Sequence, residues 1–204
     1  MTVLPIVRVG DPVLRSRADE VPLEAIASPE IQSLIDDMIA TMRDAPGVGL
    51  AAPQVGQARR IIVVEDPPQA IERLSEEQRQ DRQRTAAFPL QVFVNPRLRL
   101  PAEGRKVVFP EGCLSIPGYA GLVERDLDVE IAFFDRHGTF HDWMPLTGWP
   151  ARIVQHEVDH LDGVLYTDRL VPGSLMAEET MRQRLQEQSV AALIADCSRE
   201  GEVG

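Results

Sequence analysis

The residues whose types and spacing point most directly to chemistry are His156, Glu157 and His160, in the run His156-Glu157-Val158-Asp159-His160. Histidines four apart lie one turn from each other on one helix face, so both imidazoles reach a single metal ion. The glutamate beside the first of them is placed to act as general base toward a water that such an ion acidifies. With four histidines in 204 residues, chance supplies roughly 0.006 such motifs. Half of the chain's histidine is concentrated in this one segment.

Two ligands do not hold a catalytic metal; a third is needed, with one position left open. Asp159, Asp162, His137 and His141 are candidates, although the two histidines flank a turn and are expected to face solvent. Cys113 is the better one. It lies in Glu111-Gly112-Cys113-Leu114-Ser115, between a β run and a Pro–Gly break, where a loop can present a thiolate to an adjoining helix. Cys197, in a polar C-terminal stretch, is expected to be an unremarkable thiol. A third segment, Gly47-Val48-Gly49-Leu50-Ala51-Ala52-Pro53-Gln54, has glycines that permit close backbone approach and alanines that leave room beside it. It is not a phosphate loop, since no Lys–Ser/Thr follows and no G-x-G-x-x-G spacing exists.

The elements that must position these groups follow from periodicity. Ile31, Leu34, Ile35, Met38, Ile39 and Met42 form an apolar stripe that predicts a helix over Pro29 to Arg43, with Ser28 as N-cap. Ile61 to Val64, Val92 to Val94, Val107 to Phe109 and the alternating Leu127 to Ile131 read as strands, and Arg136-His137-Gly138 as a hairpin turn before Thr139 to Met144. Pro150 to Leu161 reads as the helix that carries the histidines, ending near Gly163. Ser174 to about Ala195 reads as a C-terminal helix with frayed ends. Residues 67 to 87 are polar and without sustained periodicity, a solvated surface insertion between two strands that is expected to be partly helical. The expected class is α+β: mixed or antiparallel sheets packed around a central metal-binding helix, with helices at both ends.

Length and composition bound the rest. The chain suits one domain, expected over residues 1–171, with a partly disordered helical tail over 172–204. Lys and Arg number 21 against 32 Asp and Glu, a net charge of −11, which argues against a broad grip on nucleic acid or anionic lipid. Two cysteines suggest a reducing compartment. No signal peptide and no membrane-length apolar run is evident. The expectation is an acidic cytoplasmic protein with no membrane partner and no direct nucleic-acid binding.

Together the three motifs, Gly47 to Gln54, Glu111 to Ser115 and Gln155 to His160, resemble those of the peptide deformylase family, in order. The resemblance runs from Ile6-Val7-Arg8-Val9-Gly10-Asp11-Pro12 through Asp168–Arg169. The insertion at 67–87 and Gly148 to Arg152 are similar to the longer, organelle-type branch. Glu124 stands where the family commonly has proline. The resemblance implies Cys113, His156 and His160 as metal ligands and Glu157 as general base. It implies the Gln54 amide and the Leu114 N–H as oxyanion donors; because formyl is small, a tight floor near Gly49 and Leu114 is expected to admit it but not acetyl. Val48, Phe109, Trp149 and Ile153 would line a methionine pocket, and Glu111 and Arg125 would form a supporting ion pair. It further implies Fe²⁺, with Zn²⁺, Ni²⁺ or Co²⁺ able to substitute, and hydrolysis of formyl from N-formyl-Met nascent peptides, with any ribosome contact transient. The competing readings are a metallohydrolase of another amide or peptide, and a non-catalytic metal-binding interaction module.

Overall fold

A computed structural model describes residues 1–81 and 83–200. Ser28 caps the first helix, α1 (Pro29–Asp44), its hydroxyl accepting from the Ile31 N–H at 3.3 Å. The buried side chains Ile31, Ile35, Met38, Ile39 and Met42 recur with the expected spacing and cover one face of a sheet. That sheet begins with β1 (Gly49–Ala51), inside the glycine-containing segment Gly47 to Gln54, and β2 (Ile61–Asp66). Every residue of β2 from Ile61 to Val64 is buried. Ile61 and Val63 pack with the α1 residues, whereas Ile62 and Val64 point into a second core on the other face, as strict period-two alternation requires when both faces are covered.

The insertion is partly helical, as expected, but is not fully solvated. It forms α2 (Pro68–Glu72) and α3 (Glu76–Asp81), buries Ile71, and is tied down by an ion pair between buried Arg84 and Asp66. Periodicity gave no sign of this anchoring because Ile71 and the ion pair supply it, not an apolar stripe. Next come β3 (Phe88–Arg99), β4 (Lys106–Cys113), β5 (Ile116–Asp126), β6 (Asp128–Phe134) and β7 (Phe140–Thr147). All pairings are antiparallel, in a five-stranded sheet of order β1-β2-β3-β6-β7 and a second sheet built on the β4–β5 hairpin.

β5 runs through the Pro–Gly pair that reads in the sequence as a break. The register passes from Gly112↔Ala120 to Cys113↔Ile116, so Pro117, Gly118 and Tyr119 bulge outward and are exposed. Proline is tolerated there because the ladder asks nothing of it.

The histidine-bearing helix, α4 (Trp149–Leu161), follows β7 directly. Ala151, Ile153, Val154, Val158 and Leu161 pack with Ile62, Phe93 and Ile131 of the five-stranded sheet. From its other side Arg152 donates to the Val107 and Val123 carbonyls, and Gln155 exchanges hydrogen bonds with the Asp126 backbone. Gly148 starts the helix at φ 66°, and a Cβ there would lie 2.6 Å from the Gln83 carbonyl oxygen; the end of the insertion therefore rests on the start of α4, a contact only glycine permits.

After Val171 the chain does not trail away. β8 (Met176–Ala177) pairs with β5, and α5 (Glu178–Glu187) and α6 (Val190–Glu200) follow. Two helices stand where one was expected, separated at Gln188, whose backbone is extended. Met181, Leu193 and Cys197 are buried against Ala120 and Leu122, so Cys197 is a core residue. Residues 201–204 of the expected tail lie outside the described residues. Among the described residues no helix is long and apolar enough to cross a membrane.

Candidate active site

α4 and the tip of the β4–β5 hairpin meet to make a compact donor cluster. His156 and His160 present their rings on one face of α4, with centroids 5.0 Å apart. Cys113 ends β4, and Leu114–Ser115 form the two-residue turn. This brings the Cys113 Sγ to 3.2 Å from His160 Nε2. One ligand atom from each of Cys113, His156 and His160 lies within 4.8 Å of the others. A thiolate with two imidazoles is a donor set suited to a borderline-soft divalent ion, so the residues fit the metal that the sequence implies.

The other candidate ligands are engaged elsewhere. Asp159 accepts from Arg125 and Arg169, and Asp162 pairs with Arg60 at 2.6 Å. His141 stacks on Phe133 and faces Asp135 at 3.2 Å, and His137 is exposed at the hairpin turn.

A buried charge network orients the cluster. His156 Nδ1 lies 3.0 Å from Glu111 Oε2, which leaves Nε2 to serve as ligand atom. Arg125 binds both oxygens of Glu111 at 3.0 and 2.9 Å, and Arg152 reaches the same carboxylate at 2.7 Å. Burial works against ionisation of Glu111. The hydrogen bond with His156 and the charge and hydrogen bonds of Arg125 outweigh it, holding the carboxyl well below the usual range. Asp159 extends the chain from Arg125 to Arg169, which is half-exposed. Arg152 went unnoticed in the sequence, although it stands four residues before His156 and so shares its face.

Glu157 is buried beside the ligands. Its Oε2 has no hydrogen-bond partner among the described residues, and burial pushes its carboxyl up to about 7, toward the range useful in proton transfer. Gly49 lies directly against it: a Cβ there would fall 2.9 Å from both Glu157 Cγ and Cδ. Gln54 is buried and its amide is oriented by its neighbours. Oε1 accepts the Ala51 N–H at 2.8 Å, so Nε2 is turned toward Cys113 Sγ and Ser115 Oγ, each at 3.4 Å.

These groups line a cleft of about 650 Å³, whose walls include Val48, Gly49, Gln54, Leu114, Trp149 and Ile153. Phe109 does not line it; that ring stands behind Trp149, edge-on with centroids 6.3 Å apart. Arg8, Tyr119 and Glu178 also reach the cleft and carried no sequence signal toward it.

The model for polypeptide deformylase matches residues 3–175. The chain belongs to this family. It is 46% identical over 182 residues to the chloroplastic/mitochondrial peptide deformylase 1A of Arabidopsis thaliana, covering 89% of this chain and 66% of that protein. A tomato (Solanum lycopersicum) chloroplastic deformylase is 44% identical, over 86% of this chain and 62% of its own length. The chain therefore spans a little under two thirds of these plant relatives. The peptide deformylase of Xylella fastidiosa (strain M12) is 40% identical, with 92% of this chain and 97% of that protein covered. Among solved structures, a class I type b peptide deformylase from Acinetobacter baumannii with bound Met-Ala-Ser has a TM-score of 0.71 at 35% identity, covering 83% of this chain and 99% of that one. The deformylase family depends on a metal, and the Cys113, His156 and His160 cluster is where this member can hold it.

Proposed function

We propose that this deformylase-family protein hydrolyses the N-formyl group of peptides beginning with formyl-methionine and releases formate. The observation that carries the reading is the convergence, in one cleft, of the Cys113–His156–His160 donors, the buried carboxylate of Glu157 and the oriented amide of Gln54. Three donors make up the cluster among the described residues, the number of a catalytic site rather than the four of a structural one. We assign the physiological ion as Fe²⁺, with Zn²⁺, Ni²⁺ or Co²⁺ able to replace it. When bound, a divalent cation supplies Lewis acidity, making water easier to deprotonate and the formyl carbonyl easier to attack.

The residues of this chain do the rest. Glu157 takes the proton of the attacking water and returns it to the departing amine, a cycle suited to a carboxyl raised by burial. The Gln54 Nε2 and the Leu114 backbone N–H donate to the oxygen that gains charge as the formyl carbon becomes tetrahedral. Gly49 keeps the floor close to Glu157 and selects a formyl group over an acetyl one. Val48, Trp149 and Ile153 form the apolar wall for the methionine side chain, with Phe109 backing Trp149. Glu111 and Arg125 hold His156 in its ligating orientation. The Met-Ala-Ser peptide bound by the Acinetobacter relative supports a Met-first peptide as ligand class. On this reading the substrate is a nascent chain, and a surface of charge −11 makes any ribosome contact local and transient. The working place is the cytoplasm, in keeping with a chain of only two cysteines.

The test is anaerobic hydrolysis of formyl-Met-Ala-Ser and acetyl-Met-Ala-Ser, read as formate or acetate released with the free amine, with metal analysis of the same preparation. Formate from the formyl peptide and no acetate from the acetyl peptide are expected. A fully metallated protein that releases none overturns the assignment.

A further inference from the structure

The Leu114–Ser115 turn is closed by the Cys113–Ile116 pair, beyond an irregularity in its hairpin. The ladder shifts register between Gly112 and Cys113, and Pro117 to Tyr119 bulge out on the return strand. The turn is also held from outside, by a segment about 100 residues earlier in the chain. Arg8 Nη1 donates to the Leu114 carbonyl at 2.6 Å, and the Val9 N–H donates to the Ser115 carbonyl at 2.9 Å. One residue before, the Val7 N–H donates to the Gln54 carbonyl at 2.9 Å. Three consecutive residues thus grip both pieces of backbone that carry the oxyanion donors of the proposed reaction. Arg8 makes no ion pair among the described residues; the hydrogen bond recorded for its guanidinium is the one to the turn, at the wall of the cleft. A surface arginine with no carboxylate partner, aimed at a backbone carbonyl beside a metal ligand, is placed to fix geometry, not to balance charge.

We infer that Arg8 is a positioning residue for the deformylation step: by anchoring the Leu114 carbonyl it holds the turn so that the Leu114 N–H meets the developing oxyanion. This rests on the functional reading above. Losing an oxyanion donor outright costs roughly 10²–10³ in rate; loosening one without removing it should cost less, about tenfold.

The experiment compares Arg8→Ala, Arg8→Lys and the parent in steady-state formate release from formyl-Met-Ala-Ser, with metal content and thermal melting measured on each. Arg17→Ala makes the same charge change at a side chain 81% exposed, away from the cleft lining, and is expected to match the parent. Arg8→Ala is expected to lower kcat about tenfold at unchanged KM, metal content and melting temperature. Arg8→Lys, which keeps a charged donor, should recover most of kcat. A raised KM with kcat intact would show that Arg8 binds substrate instead and overturn the inference. So would unchanged kinetics, or a kcat loss explained by lost metal or lowered melting, which would mark Arg8 as merely structural. An active parent with any of these outcomes sinks this inference alone, whereas a metallated parent that releases no formate sinks the functional reading and this one with it.

Discussion

Replacing Gly49 with alanine is the smallest change that should disable the site without replacing a proposed ligand or the proposed general base. The added Cβ would lie 2.9 Å from both Cγ and Cδ of Glu157, and closer still to Oε1. Ordinary contact begins at 3.4 Å, so Cγ and Cδ must retreat by about 0.5 Å, and Oε1 by about 1 Å, to relieve the clash. The strand cannot yield instead, because Gly49 is in register with Val64 of β2 and Leu50 is buried in the core. Glu157 is therefore the part that gives, its carboxyl being displaced toward the cleft that it lines. A misplacement of ~1 Å of a catalytic group costs on the order of 10²-fold, equivalent to about 2.7 kcal/mol. Overpacking of this kind also destabilises by about 1–3 kcal/mol. The assay is kcat/KM for formate release, with metal content and melting temperature measured in parallel. Gly47→Ala is the matched control: its Cβ would meet only Leu114 Cδ1 at 2.9 Å among side chains, a terminal methyl that can rotate aside, so its loss should be much smaller. A Gly49→Ala protein that keeps its metal and retains activity within about threefold would refute the claim that this contact sets the position of Glu157.

Three further outcomes are expected. Glu157→Gln preserves shape but cannot accept a proton, so metal content should be retained while kcat falls by roughly 10²–10⁴; unchanged turnover would remove Glu157 from the role of base. Cys113→Ala takes away one of three ligands, and metal analysis after dialysis should find the protein largely empty; full occupancy would exclude the thiol as ligand. Arg84→Met strands Asp66, which is 1% exposed, and should destabilise the fold by about 3–5 kcal/mol in denaturant titration. The double variant Asp66→Leu/Arg84→Met should regain most of that loss, and a single variant as stable as the parent would show that the ion pair does not pin the insertion.

What was legible in the sequence was local. The apolar stripe of α1, its serine cap, the alternation in β6 and the one-turn spacing of His156 and His160 all depend on residues within a few positions of one another. Helix and strand geometry converts such spacing directly into a shared face. The same holds for the three motifs, whose residue types announce a thiolate, two imidazoles, a base and a close-packed backbone. Strand β5 was cut short at its Pro–Gly pair because a ladder irregularity, invisible in composition, lets the strand run past it, and the anchoring of the partly helical insertion by Ile71 and the Arg84–Asp66 pair leaves no periodic pattern to read.

The sequence by itself therefore determined the chemical repertoire: a helix with two histidines on one face, a candidate thiolate and a glycine-rich segment, in an α+β chain. Only the tertiary structure decided which of these meet. It brings the Cys113 sulfur, 47 residues distant, to 3.2 Å from His160, whereas Asp159, Asp162, His137 and His141 are committed to arginines, an aromatic ring or solvent. It turned the Gln54 amide toward the sulfur through the Ala51 N–H, packed Gly49 against Glu157, added Arg152 to the Glu111 network and moved Phe109 behind the cleft wall. Contacts of this kind are set by sheet register and by how a helix seats on two sheets. These are global packing outcomes with no local periodicity to reveal them.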